Sequence, residues 1–147
     1  MDHLQTRQRW MSVLAHSRPD ELLAHWQPLN LSPQFERIRA PETGLTQLQG
    51  RMGATGKRFV MGDMTVTRAV IQLDGGVYGY SYVSGRHKPH AELCAVIDAL
   101  LQMQGMDELL HKRVIAPLAA LQQERRQQRA REVASSRVDF FTLVRGE

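Results

Sequence analysis

The sequence predicts an α+β fold: an antiparallel sheet of about four strands arranged as a meander, two helices before it, two after it, and an apolar C-terminal tail. Three observations carry this. Met64 to Leu73 (MTVTRAVIQL) is β-branched and alternating, and Val77 to Val83 (VYGYSYV) returns after the turn residues Asp74-Gly75-Gly76, which is a hairpin signal. Apolar residues recur at helical spacing on both sides of that region. The chain has 147 residues, enough for one domain with a core and too few for two.

Taken in order, Leu4, Trp10, Val13 and Leu14 mark a first helix. Ser17-Arg18-Pro19-Asp20 then offers a cap, a proline suited to a first turn and an early acid, and Leu22, Leu23 and Trp26 continue the apolar face until Asn30 and Pro33 end it. Phe35 to Ala40 and, more loosely, Thr43 to Met52 alternate as the first two strands. After the hairpin, Pro89 opens a helix whose stripe is Leu93, Ile97, Leu100 and Leu101. Gly105 breaks it. Leu109, Leu110, Val114 and Ile115 start another helix, which Pro117 should kink or interrupt. The tail from Ser135 to Arg145 carries two phenylalanines and several aliphatic residues where a terminus is usually polar, so it should be covered by this chain or by another.

Composition narrows the function classes. Hydrophobic content of 42% and charged content of 23% are those of a soluble globular protein, and no apolar run reaches the roughly 20 residues of a transmembrane helix. No secretory signal is readable at the N-terminus, and a lone cysteine, Cys94, suits a reducing compartment; the expected location is the cytoplasm. The net charge of +4 and pI of about 9.7 are compatible with anionic ligands, nucleic acid or acidic partner surfaces and choose among none of them. Four arginines stand against the single acid Glu124 in Gln122 to Arg131. That run has no interleaved aromatics, so a solvated or partner-facing helix is favoured over a nucleic-acid grip.

Motifs with chemistry are few. Gly53-Ala54-Thr55-Gly56-Lys57-Arg58 has phosphate-loop composition, but the glycine spacing is wrong, Arg58 stands where a hydroxyl residue is needed, and the segment joins two strands; a hairpin loop is expected. Asp63 and Asp74 flank glycines and read as turn formers. Gly85 to His90 leaves a strand and opens a helix, so backbone N–H groups, Arg86 and Lys88 could meet an anion, with His87 and His90 as donors or proton carriers. His90 and Cys94 are four apart on one helix face, yet no second ligand pair stands out; a buried structural cysteine and no metal are expected. No catalytic constellation is legible. The residues alone define a basic α+β domain, for which a nucleic-acid-binding module and a free-standing small-molecule enzyme are the rival classes.

Several ordered segments resemble the PhnG family: Arg7 to Ala15, Pro41 to Leu45, Arg51 to Gly56, Gly62 to Ala69, Gly79 to Arg86, His90 to Glu92, and above all Ser136 to Gly146. The resemblance runs from about residue 6 to residue 146 and is weakest over Met103 to Gln128. It departs after Arg86, where an acidic residue is expected and His87 stands. It implies a single domain over residues 1–147 that is a subunit of the carbon–phosphorus lyase core complex of phosphonate catabolism, made with PhnH, PhnI and PhnJ and with the ATPase-like PhnL and PhnK. With the H, I and L proteins it implies transfer of the ribose triphosphate of MgATP to methylphosphonate, releasing adenine. No catalytic residue, metal or cofactor of this chain follows from it, and neither nucleic acid nor membrane is an expected partner. Arg86, His87, Lys88 and His90 are the expected anion- or substrate-binding residues, and Arg137, Phe140, Phe141, Leu143, Val144 and Arg145 the expected partner interface within a docking tail, residues 135–147.

Overall fold

The structure is a computed structural model that describes residues 3–51 and 58–145, with side chains described for residues 4–46 and 64–137. The segment Gly53 to Lys57, expected from the sequence to be a hairpin loop, lies outside the described residues. Helices α1 (His3–Ala15) and α2 (Pro19–Trp26) lead through a short 3-10 turn (Gln27–Leu29) into the strands. These are β1 (Phe35–Arg51), β2 (Arg58–Leu73) and β3 (Tyr78–Ser84), antiparallel in the order β1-β2-β3. Helix α3 (Lys88–Leu101) follows, then α4 (Asp107–Leu110), a π turn (His111–Ile115) and the long α5 (Ala116–Arg145).

The sheet has three strands where four are expected, because the first two are one. Pro41 has no N–H to give a ladder, which reads as a strand break, but β1 lies at the sheet edge, where a proline is tolerated. The register shifts between Arg37 and Arg39 and again between Arg39 and Glu42, so bulges take up the irregularity and pairing resumes at Glu42 with Arg68. Asp63 is not a turn residue. It lies within β2 opposite Gln47, next to Gly62 and a third register shift. The expected hairpin forms, with Gly76 at φ 92 closing the turn between β2 and β3.

One face of the sheet buries Ala69, Ile71, Leu73 and Val83. Helix α3 lies between that face and the other helices, so its expected stripe becomes a nearly complete sleeve: every residue from Cys94 to Leu101 is buried, while Leu93 is only half-buried. The second helical layer adds Trp10, Val13, Leu14, Leu22, Leu110, Val114 and Leu118. Leu4, Leu23 and Leu109 are exposed instead. Fully burying an aliphatic side chain contributes about 1.5–3 kcal/mol, so this shared core is the main source of stability. Gly79 sets how closely β3 meets α3: a Cβ there would stand 1.9 Å from the Ala95 carbonyl oxygen.

Two helix boundaries differ from expectation for local reasons. Ser17 does not cap α2; its hydroxyl donates to the Leu14 carbonyl at 2.6 Å and finishes α1, leaving Arg18 at the N-cap without a side-chain bond. Pro117 does not end its helix. A proline ring crowds the carbonyl four residues earlier and cannot donate to it, and the π turn immediately before it widens the spiral at that point, so α5 continues for 30 residues. The tail is therefore helical through Arg145, and from Arg126 to Arg137 every residue is exposed.

Candidate functional site

The strand–helix corner is built by backbone constraints. Gly85 at φ 93 turns the chain out of β3, its N–H donates to the Thr65 carbonyl at 2.8 Å, and its carbonyl accepts from the Thr67 hydroxyl at 2.7 Å. His87 is the N-cap of α3, with Nδ1 accepting the His90 N–H at 3.2 Å, and so holds that nitrogen unprotonated. Pro89 has no N–H. In the first turn only the Lys88 N–H is left for a ligand, which the sequence could not show because the cap is a histidine rather than a usual capping residue.

The four expected residues divide. Arg86, His87 and Lys88 are exposed, and among the described residues Arg86 and Lys88 make no ion pair. His90 is buried beneath them, its ring 5.9 Å from that of His87 and its Nε2 3.7 Å from Cys94 Sγ. Burial lowers the His90 pKa below its ordinary value, electrostatic repulsion from the neighbouring His87 acts in the same direction, and the Ser17 backbone opposes it. Burial also pushes the Cys94 thiol up to about 12, so the pair is a neutral packed contact. Among the described residues no group of three or more His, Cys, Asp or Glu side chains could hold a metal ion.

Sequence reading missed a buried carboxylate. Asp98 is fully buried in α3 and accepts four hydrogen bonds. They come from Arg7 Nε at 3.3 Å and Nη2 at 2.9 Å, Trp10 Nε1 at 2.8 Å, and the Tyr80 backbone N–H at 2.9 Å. One side chain thus ties α1, α3 and β3 together. The carboxylate raises the Arg7 pKa above its ordinary value, against partial desolvation, and the guanidinium lies 5.5 Å over the Tyr80 ring. The signal in the sequence was an acid inside the apolar run of α3, but its side-chain partners Arg7 and Trp10 lie 91 and 88 residues away in sequence. The hub is structural: its acceptor sites are occupied by protein donors.

A second basic surface lies between α1 and α5. Gln122, Arg125, Arg126 and Arg129 recur at helical spacing along α5 and face Ser12 and His16 across a cleft of about 430 Å³. An adjoining cavity of about 400 Å³ shares His16, Arg125 and Arg129 and adds Arg18, Gln128 and Glu132. Gln122 Nε2 donates to the Val13 carbonyl at 2.8 Å, and Arg125 pairs with Glu21. The arginine run expected to be a solvated face therefore lines a concavity on one side, because α1 and α2 pack beside it.

These features define a small α+β protein with dispersed basic surfaces and a structurally committed buried acid. No helix among the described residues is long and apolar enough to cross a membrane. The chain belongs to the family described as phosphonate metabolism protein PhnG, which it matches over residues 5–146. It is 40% identical over 144 residues to the "Alpha-D-ribose 1-methylphosphonate 5-triphosphate synthase subunit PhnG" of Rhizobium meliloti (strain 1021), covering 96% of this chain and 90% of that relative.

Proposed function

We propose that this chain is a subunit of an α-D-ribose 1-methylphosphonate 5-triphosphate synthase, acting in the carbon–phosphorus lyase core complex with the H, I and J proteins in the cytoplasm. The observation that carries this is 40% identity maintained over 96% of the chain to a relative named as that subunit. The complex, with the L protein, would move the ribose triphosphate of MgATP onto methylphosphonate and release adenine, with MgATP as its substrate rather than a cofactor of this chain.

The helical arm supports a role in assembly. Helix propensity alone is marginal for such a segment, and a row of exposed residues on a bare helix needs tertiary packing to persist. Positions 130, 133, 134, 137, 140, 141 and 144 recur at three- and four-residue steps and carry Ala130, Val133, Ala134, Arg137, Phe140, Phe141 and Val144. Such spacing suits a helix laid into a partner's apolar groove. Arg86 and Lys88 would offer an anion their side chains, with His87 and His90 shaping the corner. Co-expression with the H, I and J subunits, followed by size-exclusion chromatography and mass of the eluted species, tests the reading. One species containing all four chains is expected; a chain that always elutes alone rejects it.

A further inference from the structure

Four guanidinium groups, those of Arg18, Arg125, Arg126 and Arg129, line the two joined cavities between α1 and α5. Like charges this close on one helix repel, and arginine cannot relieve the repulsion by losing its proton. The protein neutralises one of them, Arg125, with Glu21, and places Glu132 in the second cavity. Among the described residues Arg126 and Arg129 make no ion pair and have no hydrogen-bonded partner.

The opposite wall is also made of polar groups. The His16 Nδ1 lies 2.8 Å from the Ser12 carbonyl, which can only accept, so that nitrogen carries the proton and is held by α1, and the ring forms a polar wall while the donors to an anion are the guanidinium groups opposite. The Gln122 bond to Val13 and the Arg125 pair with Glu21 fix α5 against α1 and α2, so the free guanidinia are carried on a braced segment. The cleft volume falls within the range of small-molecule sites. A guanidinium fork matches the oxygens of phosphate two at a time, and two forks one helical turn apart suit a linear polyanion better than a single carboxylate.

We propose that this cleft holds the phosphate chain of a triphosphate ester, gripped by Arg126 and Arg129 with His16 on the facing wall. The assignment rests on the functional reading above for its choice of triphosphate, and goes beyond it in placing that group on this chain, away from the Arg86 corner.

The test is calorimetric titration of inorganic triphosphate into the full-length chain and into the assembled complex at fixed ionic strength. Arg126→Gln with Arg129→Gln should weaken binding about tenfold or more in both. Lys112→Gln with Arg131→Gln removes the same net charge from exposed positions that line neither cavity, and should change it less than about twofold. Equal loss in the two double variants would reduce the effect to net charge and overturn the assignment. So would unchanged affinity in the first, or no affinity in the wild type. If the first double variant binds triphosphate like wild type but no longer joins its partners, the cleft receives an acidic protein segment and the proposal is wrong. Adenine release from MgATP by the same complexes separates the two readings: none from wild type sinks the functional one, whereas normal release with affinity unmoved in the double variant sinks this one alone.

Discussion

Replacing Asp98 with Asn keeps the shape of the hub and removes its charge. The carboxylate accepts from two donors at each oxygen: Arg7 Nε and Trp10 at Oδ1, Arg7 Nη2 and Tyr80 N–H at Oδ2. An amide has one acceptor oxygen, so wherever it points, an NH2 group faces two donors. Two charge-assisted hydrogen bonds are lost, at about 1.5–3 kcal/mol each. Arg7 is about one-third exposed and can turn to water, which recovers part of this. The Tyr80 N–H and the buried Trp10 cannot. The expected cost is about 3 kcal/mol, in line with breaking a buried pair from one side and a large fraction of a typical domain's stability. Thermal melts by circular dichroism of the full-length chain, at matched concentration, should show a midpoint lower by about 6–12 °C. A double-mutant cycle with Arg7→Gln should give a coupling above about 1 kcal/mol. A midpoint within 2 °C of wild type, or no coupling, would show that the hub does not fasten α1 and β3 to α3.

Gly79→Ala places a methyl against the Ala95 backbone oxygen, and trimming Ala95 to glycine leaves that oxygen in place. Loss of about 3 kcal/mol or more is expected in urea melts, and a near-neutral result would contradict the packing. His90 has a folded pKa below its unfolded value, so the unfolded chain takes up the proton first; its contribution is present above pH 6.5 and lost as pH falls below it. The slope of stability between pH 7 and 5 should therefore flatten in His90→Gln, and parallel slopes would refute this. The Cys94 thiol, buried and raised to about 12, should resist a thiol reagent at pH 8 until urea unfolds the chain; rapid native labelling would contradict its placement. Truncation after Ser136 should preserve the body's circular dichroism and abolish co-purification with the partners, and normal assembly would make the arm idle.

What could be read in the sequence was local. The hairpin, the prolines that open α2 and α3, and the break at Gly105 each depend on the conformational limits of one or two residues. Features that depend on distant neighbours were not legible. Pro41 interrupts a strand only if the strand is central, and its edge position emerges from the sheet order. The apolar tail reads as a separate terminal segment, whereas its backbone continues α5 through Arg145. At the corner, a histidine cap and a proline leave the Lys88 N–H as the free backbone donor of the first turn, which residue types alone do not reveal. In the arginine run the residue types were visible, but the concavity exists only because α1 packs against α5. Asp98 shows the same limit, since an acid is expected outside until Arg7 and Trp10 are brought to it.

The most direct test of the subunit role is adenine release from MgATP and methylphosphonate by the H, I and L proteins, with this chain omitted and then added back. Release should be lost on omission and restored in proportion to the chain added, up to saturation of the complex. Release at the same rate with and without the chain would contradict that role.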